Sequence, residues 1–96
     1  MLLTRLTVED FEDLLLHAAS ERPKRQEEIN GEFAWVSYER KVMMDAVNEE
    51  RAAAGQPPVS VEDFKRRAEN QALGHSDYAH KFALYCWELA NERVPS

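Results

Sequence analysis

The sequence contains a single cysteine, Cys86, so no disulfide can form within the chain. No segment approaches the run of about 18 apolar residues that a membrane-spanning helix needs, and the apolar run at the start is too short for a signal peptide. No nucleophile with a matching base, no phosphate-binding loop and no clustered set of metal ligands is recognisable. We therefore expect a cytoplasmic protein that is not an enzyme and uses no cofactor.

Positive charge is also in short supply, with 12 Lys and Arg against 18 Asp and Glu and a net charge of -6. This balance disfavours broad binding to nucleic acid or anionic membrane, because both require Lys and Arg to neutralise phosphates. The 44% hydrophobic and 31% charged composition is typical of a folded globular protein. A chain of 96 residues has room for one small helical domain, residues 1–96.

Apolar residues recur with helical spacing in four segments. The predicted helices lie near residues 7–22, 33–54, 60–73 and 76–93. Thr7 and Ser60 are good N-caps, and each precedes the same four residues, Val-Glu-Asp-Phe. Pro23 predicts that the first helix ends near Arg22, and Gly55 predicts the end of the second.

The last helix has an unusually wide apolar side. Its aromatic and small residues spread over an arc of about 200°, whereas a helix packed on one neighbour needs only about 100°. It should therefore contact two or three other helices and lie at the centre of the fold. Short connections favour antiparallel neighbours. The predicted fold is all-α, a compact four-helix domain with antiparallel neighbours and the C-terminal helix central.

Several large apolar residues stand off the main stripes of their helices, where a four-helix monomer would leave them exposed to water. They are Leu16, Met44, Leu73 and Leu84. Such residues indicate a protein interface. We expect a non-catalytic protein–protein interaction module, a small adaptor, inhibitor or accessory factor, with another protein as its partner and a homodimer as one form of the interaction.

A basic cluster, Lys65, Arg66 and Arg67, supports a different hypothesis. The residues that follow it, 68–81, resemble a helix-turn-helix motif through their Leu-Gly turn and the serine after it. The resemblance implies a nucleic-acid-binding regulator that uses the basic cluster and the start of the last helix. Nucleic acid is the less favoured partner because of the acidic balance of the chain.

Two carboxylates, Glu39 and Glu50, fall within the apolar stripe of the second helix. Eleven residues separate them, about 16 Å along a helix, which is too far for two carboxylates acting on one bond. We predict structural ion pairs with arginine, either Arg93 in the last helix or the nearby Arg40 and Arg51. A functional role for these glutamates is the alternative.

The remaining candidates for chemistry are the histidines and the thiol. His75, Asp77 and His80 are close in sequence and leave a weak site for a divalent cation open, with surface or capping roles as the alternative. Cys86 lies among apolar residues and has no neighbouring cation to stabilise a thiolate. We expect it to be a small buried hydrophobic residue.

Overall fold

A computed structural model describes residues 6–25, 27, 38–69 and 78–93, which form four α-helices and no β-strand. The helices are α1 (Val8–Arg25), α2 (Tyr38–Ala53), α3 (Val61–Glu69) and α4 (Tyr78–Ala90). The predicted all-α, four-helix architecture is confirmed. The predicted helical residues 33–37, 70–73 and 76–77 lie outside the described part of the chain. Within that part, no helix combines the length and the apolar character needed to cross a bilayer.

Side-chain hydrogen bonds confirm both predicted helix starts. The amide of Thr7 donates to Asp10 Oδ2 at 2.9 Å, and the amide of Asp10 donates to Thr7 Oγ1 at 3.0 Å. This is a capping box in which aspartate takes the place of the usual Glu or Gln. At α3 the amide of Asp63 donates to Ser60 Oγ at 3.1 Å. These contacts satisfy amides that have no partner within the helix.

The first helix ends later than predicted. The expected end near Arg22 is wrong, because α1 continues through Pro23 to Arg25. Proline has no amide hydrogen, so Pro23 leaves the carbonyl of Ala19 without its helical donor. Both Ala19 and Pro23 are exposed, and water can take the place of that donor at little cost.

The second helix ends as predicted and the fourth does not. Gly55 has a φ of 74°, and the amide of Gln56 donates to the carbonyl of Arg51 at 2.8 Å, as in a Schellman motif. The predicted extension of the last helix to residue 93 is wrong, because α4 ends at Ala90. The side-chain amide of Asn91 bonds back onto the last turn there.

The core lies where α1, α2 and α4 pack against one another. The largest fully buried side chains are Phe11, Leu15, Met43, Val47, Phe64, Phe82 and Cys86. Helix α4 contacts α1 and α2 and also receives Phe64 from α3. Its predicted central position is confirmed, and this explains its wide apolar side. The antiparallel relation of the neighbours stays a prediction.

Helix α3 is attached at its first turns. The ring of Phe64 is 1% exposed and lies 6.3 Å from the ring of Phe82 and 6.1 Å from that of Tyr85, between centroids. Just before α3, the side-chain amide of Asn48 donates to the carbonyl of Val59 at 3.0 Å and accepts from the amide of Val59 at 2.7 Å. The aromatic contact and this paired amide fix α3 to α4 and α2.

Candidate protein-interaction surface

Helix α4 exposes one large apolar side chain, Leu84, which is 38% exposed. Its sequence neighbours Ala83 and Tyr85 are buried, so Leu84 lies on the side of α4 that faces away from the core. His80 and Glu88, one turn before and one turn after it, are exposed and polar. The predicted exposure of Leu84 is confirmed.

Helix α1 carries a second exposed leucine. Leu16 is 53% exposed, whereas the adjacent Leu15 is 2% exposed and belongs to the core. Asp13 and Ser20, at the neighbouring turns of the outer side of α1, are exposed. The predicted exposure of Leu16 is therefore confirmed as well, and polar residues surround it as they surround Leu84.

A contact between α1 and α4 connects the surroundings of the two leucines. His80 Nδ1 lies 3.2 Å from Glu12 Oε2, and both side chains are partly exposed, so the contact is at the surface. Leu16 follows Glu12 by one turn of α1, and Leu84 follows His80 by one turn of α4. The two leucine Cα atoms are therefore within about 24 Å of each other. One protein partner of standard interface size spans a similar distance.

The other two apolar candidates do not join this surface. Met44 is 5% exposed and packs in the core, so the expectation that it stands in water is wrong. Helix α2 contacts both α1 and α4, and its buried side is wider than the stripe read from the sequence. Leu73 lies outside the described residues.

The basic cluster of α3 has acidic neighbours. Lys65 and Arg66 are exposed, and Arg66 pairs with Asp63 one turn earlier. Glu62, Asp63 and Arg66 line one surface groove together with Pro58 and Ser60. The side chain of Arg67 and most of the residues that resemble a helix-turn-helix lie outside the described part of the chain. Neighbouring carboxylates weaken the attraction of this cluster for phosphate.

The two glutamates of α2 are buried as predicted, at 9% exposure for Glu39 and 3% for Glu50. Glu39 Oε2 accepts from Arg22 Nη1 at 3.2 Å, which makes it a structural ion pair. Its other oxygen, Oε1, is buried and has no hydrogen-bond partner in the structure. The predicted partner Arg93 is wrong: it lies beyond the end of α4, is exposed and forms no ion pair among the described residues.

The arginine that the core does bury is Arg51, 3% exposed. Its Nε donates to the carbonyl of Pro57 at 2.7 Å, and Nη1 donates to the carbonyl of Leu89 at 2.9 Å. Nη1 also pairs with Glu92 Oε1 at 3.1 Å. From the sequence, Arg51 is a candidate only for an ion pair with the nearby glutamates. Its position in the last turn of α2, on the side that packs against α4, is the signal that was missed.

Comparison with protein-family models, with curated proteins and with solved structures finds no match to this chain. The function of this surface must therefore be argued from its own residues.

Reactive groups are few in the described part of the chain. Cys86 is fully buried, and burial raises the pKa of its thiol far above the usual range, which keeps it protonated. No group of three metal-ligating side chains occurs among the described residues. His80 contacts Glu12, and the other two members of the suggested cation site, His75 and Asp77, lie outside those residues.

Proposed function

We propose that this protein is a non-catalytic protein–protein interaction module, a small adaptor, inhibitor or accessory factor of the cytoplasm. It binds its partner protein through the exposed leucines of α4 and α1, and self-association through part of the same surface belongs to the proposal. The observation that carries it is Leu84, a leucine 38% exposed on the helix that otherwise forms the centre of the core. Burying that side chain in a partner removes apolar surface from water.

Two further observations support this reading. Leu16 is the other exposed large hydrophobic residue among the described residues, and the helix that carries it contacts α4 at the surface through Glu12 and His80. The surrounding side chains are polar, as in the rim of a protein interface. The runner-up hypothesis, a nucleic-acid-binding regulator, depends on Lys65, Arg66 and Arg67, and Arg66 already pairs with Asp63.

The test is capture of proteins from the cell that expresses this chain, with the full chain as bait and mass spectrometry as the readout. We expect Leu84→Ala to reduce capture of the specific partner by about tenfold, because truncating a buried apolar interface residue costs more than 1 kcal/mol. Leu84→Met is the matched control, since it keeps an apolar side chain of similar size and should retain capture. Circular dichroism should be unchanged for both variants.

Equal capture by wild type, Leu84→Ala and Leu84→Met would refute the assignment of Leu84. The nucleic-acid hypothesis has its own arm, titration of duplex DNA at low and high salt. The runner-up would replace the protein-interaction proposal if three results were obtained together. DNA binding would weaken steeply with salt, would be lost when Lys65, Arg66 and Arg67 become alanine, and would be unchanged in Leu84→Ala.

A further inference from the structure

The outer side of α1 has a palindromic spacing. Its residues, the outer stripe, are all exposed: Glu9, Asp13, Leu16, His17, Ser20 and Lys24. The steps between them are four, three, one, three and four residues, the same in both directions from the midpoint between Leu16 and His17. That midpoint is also the middle of α1, Val8–Arg25. A second α1 laid antiparallel across this midpoint would present an outer stripe with matching spacing.

The residue types match as well as the spacing. In such a pair, Glu9 faces Lys24 of the second copy, and Asp13 faces Ser20 of the second copy. Opposite charges therefore meet at both ends. One turn nearer the centre, a carboxylate meets the Ser20 hydroxyl, which donates to the carbonyl of His17 within the chain and would rotate to donate to Asp13. Because each contact occurs twice, the surface is complementary to itself, as a twofold-symmetric interface requires.

The charged members of the outer stripe are available for a second chain. Glu9, Asp13 and Lys24 are exposed and form no ion pair or side-chain hydrogen bond with any residue that the structure describes. By contrast, Arg22 on the inner side of the same helix pairs with Glu39. The charges that an antiparallel copy would meet are thus the ones that the fold itself leaves unused.

Leu16 lies at the centre, where an interface is driest. It is the most exposed large hydrophobic residue of the described chain, at 53%. At the twofold axis, the Leu16 side chains of the two copies would meet on one side, and the two His17 side chains on the other. Ser20 is small enough to let the helices approach to the usual distance of about 8–10 Å.

We propose that a second copy of this chain docks antiparallel on the outer stripe of α1, with Leu16 at the twofold axis and Glu9 against Lys24 of the second copy. The inference rests on the proposed function in treating Leu16 as part of a protein contact. In the dimer the second copy covers Leu16, so a different partner protein binds the dimer through Leu84 alone and uses Leu16 only on the monomer. One helix against one helix covers less than the roughly 800 Å² per partner of a standard interface. The dimer is therefore weak and dependent on concentration.

Disulfide trapping tests the register. The native thiol, Cys86, is buried and therefore does not form a disulfide under mild oxidation. His17→Cys brings two thiols together near the axis. Pro23→Cys is the matched control, since Pro23 is exposed on the same helix and outside the outer stripe, but about 20 Å from its copy, beyond the reach of a disulfide. We expect at least tenfold more crosslinked dimer from His17→Cys. Equal crosslinking of the two variants would overturn the proposal.

Charge reversal tests the pairing, with sedimentation equilibrium as the measurement. Glu9→Lys should raise the dissociation constant about tenfold, because two ion pairs become repulsive. Adding Lys24→Glu to it should restore the constant to within about threefold. Both charge reversals interact unfavourably with the dipole of α1 and therefore destabilise that helix. Recovery of the dimer in the double variant therefore cannot be attributed to a more stable helix. A double variant as monomeric as the single one would also overturn the proposal.

The outcomes are separable from those of the Leu84 test. If His17→Cys and the double reversal fail while Leu84→Ala still loses the partner, the protein is an interaction module that does not pair through α1. If both tests of α1 succeed, the homodimer stands whatever the capture experiment finds.

Discussion

Arg51 shows how a single residue can tie together parts of a small protein that are distant in sequence. Its guanidinium is buried and binds the loop after α2 through Pro57, and the last turn of α4 through Leu89. The charge is balanced by Glu92. The planar fork of arginine suits this arrangement, because its donors point in fixed directions and reach several acceptors together.

We predict that Arg51→Met lowers the free energy of unfolding by about 3 kcal/mol. Methionine keeps the apolar stem but removes the donors to the carbonyls of Pro57 and Leu89 and the ion pair with Glu92, and of these acceptors the Leu89 carbonyl keeps the amide of Glu92. Arg93→Met is the matched control, since Arg93 is exposed near the same helix end and pairs with nothing described. Its effect should stay within about 0.5 kcal/mol. Urea denaturation measures both, and equal losses would contradict the role assigned to Arg51.

For individual residues, the sequence predicted which glutamates are buried but not which arginine pairs with Glu39. The helical spacing of the sequence correctly predicts that Glu39 and Glu50 lie on the buried side of α2, because the side of a helix on which a residue lies depends only on its position along that helix. The suggested partners were Arg93, Arg40 and Arg51, whereas Glu39 pairs with Arg22. Long-range partners depend on how helices meet, and a single sequence contains no direct signal for that. The same limit explains Met44, which is buried because α2 touches two helices.

Among the elements, those defined by local chemistry were predictable. The caps at Thr7 and Ser60 and the glycine at Gly55 act within one turn of their own helix, and the structure confirms all three. The end of α1 was not predictable from Pro23 alone. Whether a proline stops a helix depends on the solvation of the carbonyl that it leaves without a donor, and this is a property of the folded surface.

Helix α3 offers a prediction at the element scale. Asn48→Ala should lower the free energy of unfolding by about 2 kcal/mol, because the amide and the carbonyl of Val59, both partly buried, lose the side chain to which they are hydrogen-bonded. Hydrogen exchange in the first turn of α3 should accelerate more than exchange in α1. The control is Glu49→Ala, since Glu49 is an exposed neighbour that pairs with none of the described residues, and this variant should change neither quantity. Uniform acceleration in all helices would show that Asn48 does not act on α3 locally.

At the scale of the whole molecule, three helices form the core and the outer sides of α1 and α4 carry the candidate contacts. The fold class followed from the sequence because helical periodicity and capping agreed in every segment. The exposure of Leu16 and Leu84 was predicted correctly, while their role in a protein contact stays a prediction. The spacing of the outer stripe of α1 became visible only once the buried side of that helix was known.

The stability of the whole fold should depend on the ionisation of Cys86. Burial raises the pKa of its thiol well above the ordinary value of 9.0. Well below pH 9 the thiol is protonated in both the folded and the unfolded protein, so its contribution to the free energy of unfolding does not change with pH. Above that pH the unfolded thiol ionises while the folded one stays protonated, and the free energy of unfolding falls by up to about 1.4 kcal/mol per pH unit.

Comparison with Cys86→Ala isolates this effect from the other groups that titrate at high pH. At pH 7 the variant should be less stable by about 1 kcal/mol, because it leaves a small cavity. We expect the difference between the two proteins in urea denaturation to shrink above pH 9, to vanish at about pH 10 and to change sign by about pH 10.5. A difference that stays constant with pH would mean that the native thiol ionises as readily as the unfolded one.

The contacts of Arg51 also bear on the lifetime of the folded state. Its acceptors Leu89, in the last turn of α4, and Glu92, just after that helix, lie 38 and 41 residues away along the chain, so these contacts close long loops at an entropic cost. We expect them to be absent from the folding transition state, in which case Arg51→Met accelerates unfolding and leaves the folding rate nearly unchanged, as stopped-flow kinetics would show. One buried guanidinium then sets how long the protein stays folded, while the apolar core sets how fast it folds.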